Sequence, residues 1–218
     1  MTDKKITLTD KAHMALEELI MFGKLNPEDM YSEKQLAEMI DMGRTPVREA
    51  LQRLSYESMV TIRPRRGVQV PPVTVENQLK ILEVRREVEA LCVRLATRRA
   101  TTAQKQRMLQ LAEKLQEHAR THDNENFART LKDIHNILIE ASRNEYLTQV
   151  MLPLQGLTRR FWYQHLDNVG DLNTQHPATL HADIMQAVAH ADVDTAVTAS
   201  SRLIDYLTDY TYATISLG

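Results

Sequence analysis

The stretch SEKQLAEMIDMGRTPVREALQRL, residues 32–54, leaves this chain few choices of local fold. Two short helices are written into it, with a tight turn between them. Ser32 is a good N-cap, and Gln35 stands three residues on, where a capping box needs it. Leu36, Ala37 and Ile40 give the first helix one apolar face, and Asp41, Met42 and Gly43 break it. Thr45 is then expected to cap a second helix. Pro46 would take its first position, where a missing N–H costs nothing. Val47, Leu51 and Leu54 fall at i, i+4 and i+7 and predict a buried stripe. Arg44, Arg48 and Gln52 fall on a neighbouring, solvent-facing stripe. Two helices, a short Gly-containing turn and guanidinium groups early on the second helix make the geometry of a helix-turn-helix.

Around this core the order of elements can be read off. Thr9 or Asp10 is expected to cap a preceding helix with Ala12, Leu16, Leu19 and Ile20 apolar, and Gly23 to end it. After the second helix the period changes. Val60 and Ile62, then Val68 and Val70, alternate about RPRRG and predict a small β-hairpin. Arg63, Arg65 and Arg66 crowd its tip. Gly67 permits a backbone conformation closed to other residues. Pro71-Pro72 cannot continue a strand or enter a helix interior, so a linker is expected over 71–73, between a domain at 1–70 and a second at 74–218.

From Thr74 onward every segment has helical spacing. The expected helices are 74–100, 102–121, 123–142, 144–169, 176–190 and 192–216, with Thr102, Asp123, Asn144 and Asp192 as starts and Pro153 kinking or offsetting the fourth. Six helices over this length suffice for a bundle with its own core. The fold class is therefore mainly α: an N-terminal winged helix-turn-helix and a C-terminal all-α bundle.

Composition sets limits on function. The net charge of −2 looks wrong for a DNA binder, but residues 44–66 hold six arginines against two glutamates, a local +4, which leaves −6 for the rest. A basic patch on a mildly acidic body concentrates phosphate affinity on one surface. Cys92 is the lone cysteine, so neither a disulfide framework nor a Cys-based zinc site is available, and its apolar helical context predicts a small buried hydrophobe. No run of some 18 apolar residues and no signal-peptide core are present, so a cytoplasmic protein without a membrane role is expected.

The run RTPVREALQRL followed by MVTIRPRRGVQV resembles the winged-helix domain of the GntR superfamily of bacterial transcription regulators, over roughly Thr7 to Val70. Three positions depart from the family pattern. Pro27-Glu28 replaces the usual Pro-Gly, Gly43 the usual Ser before the recognition arginine, and Ser58 the usual Gly near the end of the recognition helix. The resemblance implies that Arg44 and Arg48 contact guanines in the major groove. It also implies that Lys34, Thr45, Gln52, Arg65, Arg66 and Gly67 complete the DNA-binding set, on phosphates or the minor groove. VRREVEALCVRLATRRA, IHNILIEASRN and LHADIMQAVAHADVDTA resemble the FCD domain, the ligand-sensing helical domain of the FadR branch.

In many FCD domains an Asp and three His hold a metal that, with a nearby Arg, binds a small carboxylate. By resemblance, two of these imidazoles are His135 and His181, and the arginine is Arg85. The positions of the Asp and the third His carry Leu131 and Leu203. Two imidazoles make a poor divalent site, so no metal cofactor is expected, with His135 and His181 the remaining candidate ligands. A metal-free effector pocket is expected at Arg85, His135 and His181, taking a small organic anion or partly apolar molecule. Its rival is a rearranged metal site completed by His165 or His176. Arg86, Arg159, Arg160 and Trp162 are further polar or aromatic candidates for that pocket. His118 and His122, at i and i+4, lie at a polar helix end.

The expected function is a DNA-binding transcription regulator, a repressor, acting as a homodimer on a palindromic operator and modulated by a small-molecule effector. The alternatives are a helical metal-dependent enzyme and an interaction protein that binds no DNA. No nucleophile elbow, phosphate loop or HExxH appears to favour an enzyme.

Overall fold

The computed structural model of the chain describes residues 6–27, 29–166 and 174–217. Its chain contacts divide it into two units, 1–73 with 159–164, and 74–158 with 165–218. Glu28, and the part of the fourth bundle helix expected at 167–169, lie outside the described residues.

The first unit begins with α1 (Leu8–Met21). Its cap is Thr7, not Thr9 or Asp10. The Thr7 hydroxyl accepts from the Asp10 amide, and the Asp10 carboxylate accepts from the Thr7 amide, a reciprocal capping box. The helix thus starts two residues early because Asp10 is the third member of the box. Thr9 instead donates to Glu49 at 2.6 Å. Ala12, Leu16 and Ile20 are buried, and Gly23 follows the C-cap with φ +65°.

Ser32 and Gln35 form the expected capping box on α2 (Glu33–Met39), whose Leu36 and Ala37 are buried. Helix α3 (Arg44–Tyr56) starts earlier than expected. Gly43 is its N-cap, without a side-chain bond, so Thr45 and Pro46 are its second and third residues. Pro46 is tolerated there because the first four amides of a helix have no intrahelical partner. Val47, Ala50, Leu51 and Leu54 are buried.

The hairpin is β1 (Thr61–Arg63) against β2 (Gly67–Gln69), antiparallel, with Ile62 opposite Val68. The Tyr31 and Val68 backbones exchange two 2.8 Å bonds, so Tyr31, just before the N-cap of α2, adds a one-residue third strand. Gly67, at φ +117°, lies so close to this bridge that a Cβ there would sit 2.5 Å from the Tyr31 carbonyl oxygen.

The second unit holds α4 (Val75–Arg99), α5 (Thr102–Arg120), α6 (Asn124–Ser142), α7 (Glu145–Gln164) up to Thr158, α8 (Gln175–Ala189) and α9 (Val193–Ala213), which runs into a 3-10 turn at Thr214–Leu217. Thr74, Thr101, Asp123 and Asp192 cap α4, α5, α6 and α9. α5 begins at Thr102 as expected, with Thr101 as its N-cap and Gln104 completing a capping box. Asn144 accepts from the amides of Tyr146 and Leu147 at the head of α7, and Pro153 lies inside that helix without ending it. α4 packs on α9 and α6, α5 on α8 and α6, and α8 on α9. Phe127, Ile134, Leu138, Met108, Leu115, Val188 and Cys92 lie in the core of this unit. Burial pushes the Cys92 thiol far above its usual range, which keeps it protonated.

Candidate nucleic-acid interface and bundle site

Helix α3 turns its apolar stripe into the first unit and leaves Arg44, Thr45, Arg48 and Gln52 exposed. Arg48 does not stand alone. Its Nε and Nη2 donate to both carboxylate oxygens of Glu33, at 3.0, 3.2 and 2.9 Å. That bidentate pair raises the guanidinium pKa and ties the side chain to the start of α2. Arg53, further along, donates to Asp10 at 2.7 Å and depresses its carboxyl well below the carboxylate range. Lys34 is exposed, 3.6 Å from Glu38.

The wing presents Arg63, Arg65 and Arg66 to solvent around its turn, with Arg65 in the left-handed region at φ +61°. The Arg66 amide donates to the Arg63 carbonyl and closes the turn. Gly67 is half-buried against the Tyr31 backbone, so its place in the site is to let the wing lie close to the start of α2. Sequence reading missed Glu33 and Tyr31. Neither carries a local signal, because their partners are 15 and 37 residues away.

In the bundle, Arg85 of α4, His135 of α6 and His181 of α8 are all buried, at 1%, 3% and 5% exposure. The two imidazole rings lie 5.6 Å apart between centroids, tilted by 51°. The His181 Nδ1 lies 2.7 Å from the Pro177 carbonyl oxygen, which can only accept, so Nδ1 carries the proton and Nε2 is a lone-pair acceptor. Burial, with a smaller push from the Arg85 charge, lowers the His181 pKa to about 4, while the Pro177 bond opposes them.

Arg85 has a partner that sequence reading did not assign. Its Nε and Nη2 donate to Glu89 Oε2 at 3.2 and 2.7 Å, one helical turn on, and Gln155 of α7 donates to the other Glu89 oxygen at 3.3 Å. The i, i+4 spacing of Arg85 and Glu89 was the available signal. Leu131, one turn before His135, and Leu203 are buried. Two imidazoles beside a guanidinium, with leucines at the remaining ligand positions, do not fit a divalent cation.

The other candidates lie elsewhere. Arg86 donates to Asp205 and Ser201. Arg159, Arg160 and Trp162 group with the first unit, where Arg159 pairs with Glu17 at 3.0 Å and Arg160 donates to the Pro71 carbonyl. His176 is exposed, its ring edge-on to Tyr206 at 5.0 Å, and His165 is half-buried. His118 is 3.9 Å from Asp123, and His122 is exposed. Among the described residues no three His, Cys, Asp or Glu side chains converge as a metal site would need. An open groove of about 570 Å³ lies between the second half of α8 and the first half of α9, but Asp192 is engaged as a helix cap and His190 bonds to the Gln186 carbonyl. Among the described residues no helix is long and apolar enough to cross a membrane.

Similarity to known proteins agrees with these two units. McbR of Escherichia coli K12, an HTH-type transcriptional regulator, is 33% identical over 114 residues, 52% of this chain and 52% of McbR. The aligned stretch thus spans about half of that relative. YdhC of Bacillus subtilis, also an HTH-type transcriptional regulator, is 24% identical over 83% of this chain and 80% of its own length. The structure of E. coli McbR/YncC matches with a TM-score of 0.77 and 22% identity, over 95% of this chain and 98% of that one. Lar of Listeria monocytogenes matches at 0.55 and 16%, over 96% and 99%. At such identities the two structural matches establish the fold. Residues 8–70 match the family of bacterial regulatory proteins called gntR, and residues 80–206, more than half of the chain, match the FCD domain. The chain therefore belongs to the gntR family of bacterial transcription regulators, in the branch that carries a C-terminal FCD domain.

Proposed function

We propose that this regulator acts in the cytoplasm as a homodimeric repressor that reads a palindromic operator and releases or tightens on it when a small organic anion enters the bundle. The observation that carries the reading is the exposed row Arg44, Thr45, Arg48 and Gln52 on α3, beside a wing that presents three arginines. Arg44 and Arg48 contact guanine O6 and N7 in the major groove. Lys34, Thr45, Arg65 and Arg66 hold phosphates or the minor-groove edge and set the register. A two-fold dimer makes the operator two-fold as well.

The effector pocket is formed by Arg85, His135 and His181 without a resident metal. Arg85 supplies donors that an anion shares with Glu89, His181 supplies an acceptor at Nε2, and Leu131 and Leu203 supply apolar walls. The effector can shift operator affinity only by its differential affinity for the two arrangements of the protein.

The test is selection of an operator from random DNA, followed by anisotropy titrations with wild type and Arg48→Ala. The expected result is an inverted repeat, with operator affinity about ten- to a hundredfold lower for the variant. An unchanged operator affinity overturns the recognition assignment. Elemental mass spectrometry of untagged protein tests the pocket, because near-stoichiometric metal overturns the metal-free reading.

A further inference from the structure

Arg159 lies in the stretch 80–206 that matches the FCD domain, yet it groups with the first unit. There it ends a row of bonds that fixes α3. Glu49, Arg53 and Glu57 recur every four residues and form one stripe of that helix. All three are bonded to α1. Thr9 donates to Glu49 at 2.6 Å, Arg53 donates to Asp10 at 2.7 Å, and His13 Nε2 donates to both oxygens of Glu57 at 3.0 Å. Glu57 is also the C-cap of α3. Arg48 and Gln52 stand one residue before Glu49 and Arg53, about 100° round the helix. The stripe held by α1 therefore sets the roll of α3, and the roll sets where Arg44, Arg48 and Gln52 point.

The three tethers are not equal. The Glu49 and Arg53 bonds are exposed, and water and salt weaken them. The third runs inward. His13 is 8% exposed, Glu17 6% and Arg159 7%. His13 Nδ1 faces Glu17 Oε2 at 3.8 Å, and Arg159 Nη2 donates to the other Glu17 oxygen at 3.0 Å. Removing the Arg159 guanidinium takes a positive charge away from a buried carboxylate. The His13 ring, which stands between the Glu17 and Glu57 carboxylates, is then drawn toward Glu17 at the expense of Glu57.

We infer that Arg159 is a positioning residue for DNA recognition. Through Glu17 and His13 it holds Glu57, and with it the C-terminal end and the roll of α3. The inference rests on the reading of α3 as the recognition helix. It makes operator affinity depend on a residue outside residues 8–70, the stretch that matches the gntR family.

The test uses the full chain, titrated on the selected operator and on a scrambled duplex over a range of salt. Arg159→Met should lose operator affinity by at least about threefold, with scrambled-duplex affinity and salt slope as in wild type. No loss overturns the inference. Equal loss on both duplexes also overturns it, because a damaged first unit binds all DNA less. A salt slope lower by about one would make Arg159 a phosphate contact and overturn the positioning role. His13→Phe should show the same selective loss, and the double variant Arg159→Met, His13→Phe should lose little more than either single variant. Additive losses would mean that Arg159 does not act through His13, which sinks the relay. Arg48→Ala separates this inference from the reading it rests on. If Arg48→Ala also leaves operator affinity unchanged, α3 is not the recognition helix. If Arg48→Ala weakens the operator and Arg159→Met does not, the positioning role alone falls.

Discussion

The Arg48 guanidinium lies across both carboxylate oxygens of Glu33, joining the recognition helix to the first residue of α2. Both side chains are substantially exposed, so water and salt screen the pair and little energy holds it. On the proposed reading of Arg48 it is a pre-orienting contact that a base edge would replace. It also sets a competitor against any phosphate that approaches Arg48. Glu33→Gln should raise affinity for unrelated DNA severalfold and raise operator affinity less, so the ratio of the two falls. Paired titrations on operator and scrambled duplex measure this. An unchanged ratio would show that Glu33 has no part in discrimination.

The wing depends on Gly67 for a steric reason. A Cβ at this position would meet the Tyr31 carbonyl at 2.5 Å, on backbone that cannot swing away, and φ +117° disfavours any side chain. Gly67→Ala should destabilise the first unit by roughly 1–3 kcal/mol. It should also reduce DNA affinity by displacing Arg65 and Arg66. Urea unfolding and DNA titration on the same sample report both effects, and a wild-type unfolding midpoint would refute the close approach.

Arg85 and Glu89 form a buried ion pair at 2.7 Å, with Gln155 on the second carboxylate oxygen. Removing one partner leaves a charge in the bundle core. Arg85→Met should cost about 3–5 kcal/mol, and Arg85→Met with Glu89→Leu should recover much of that loss. Chemical denaturation of wild type, single and double variants measures the coupling. A double variant as unstable as the single would mean that the pair is not what Arg85→Met breaks.

His181 is neutral in the folded state because its pKa is depressed to about 4, against an ordinary value near 6.5. The unfolded chain therefore takes up a proton there before the folded one does. The stability tied to this residue is fully present above about pH 6.5 and is lost as pH falls toward 4, by an amount on the order of 3 kcal/mol at the acid end. His181→Gln should flatten that part of the stability curve between pH 7 and pH 4.5. Equal slopes for wild type and variant would contradict a buried neutral imidazole.

Caps and periodicities made most of the fold legible from sequence. Ser32 with Gln35, Gly23, the Val47–Leu51–Leu54 stripe and the six bundle helices depend on residues within a turn or two of one another, so the local string carries them. Where the reading slipped, it slipped by one or two residues at helix starts, and by a longer overrun at the end of α7, which stops at Gln164. Thr7 and Gly43 are the caps because the decisive bond partner, or its absence, lies at the third helical position. The basic face was also visible, since guanidinium groups opposite an apolar stripe must face solvent.

What the tertiary structure alone decided are the pairings between distant residues. Folding brings His135 and His181 to 5.6 Å, ties Glu33 to Arg48, seats Gly67 on Tyr31 and assigns Arg159 and Arg160 to the first unit rather than to the bundle site. Each partner is chosen by which helix faces meet and at what register. That choice depends on packing the whole core at once, which no local spacing encodes.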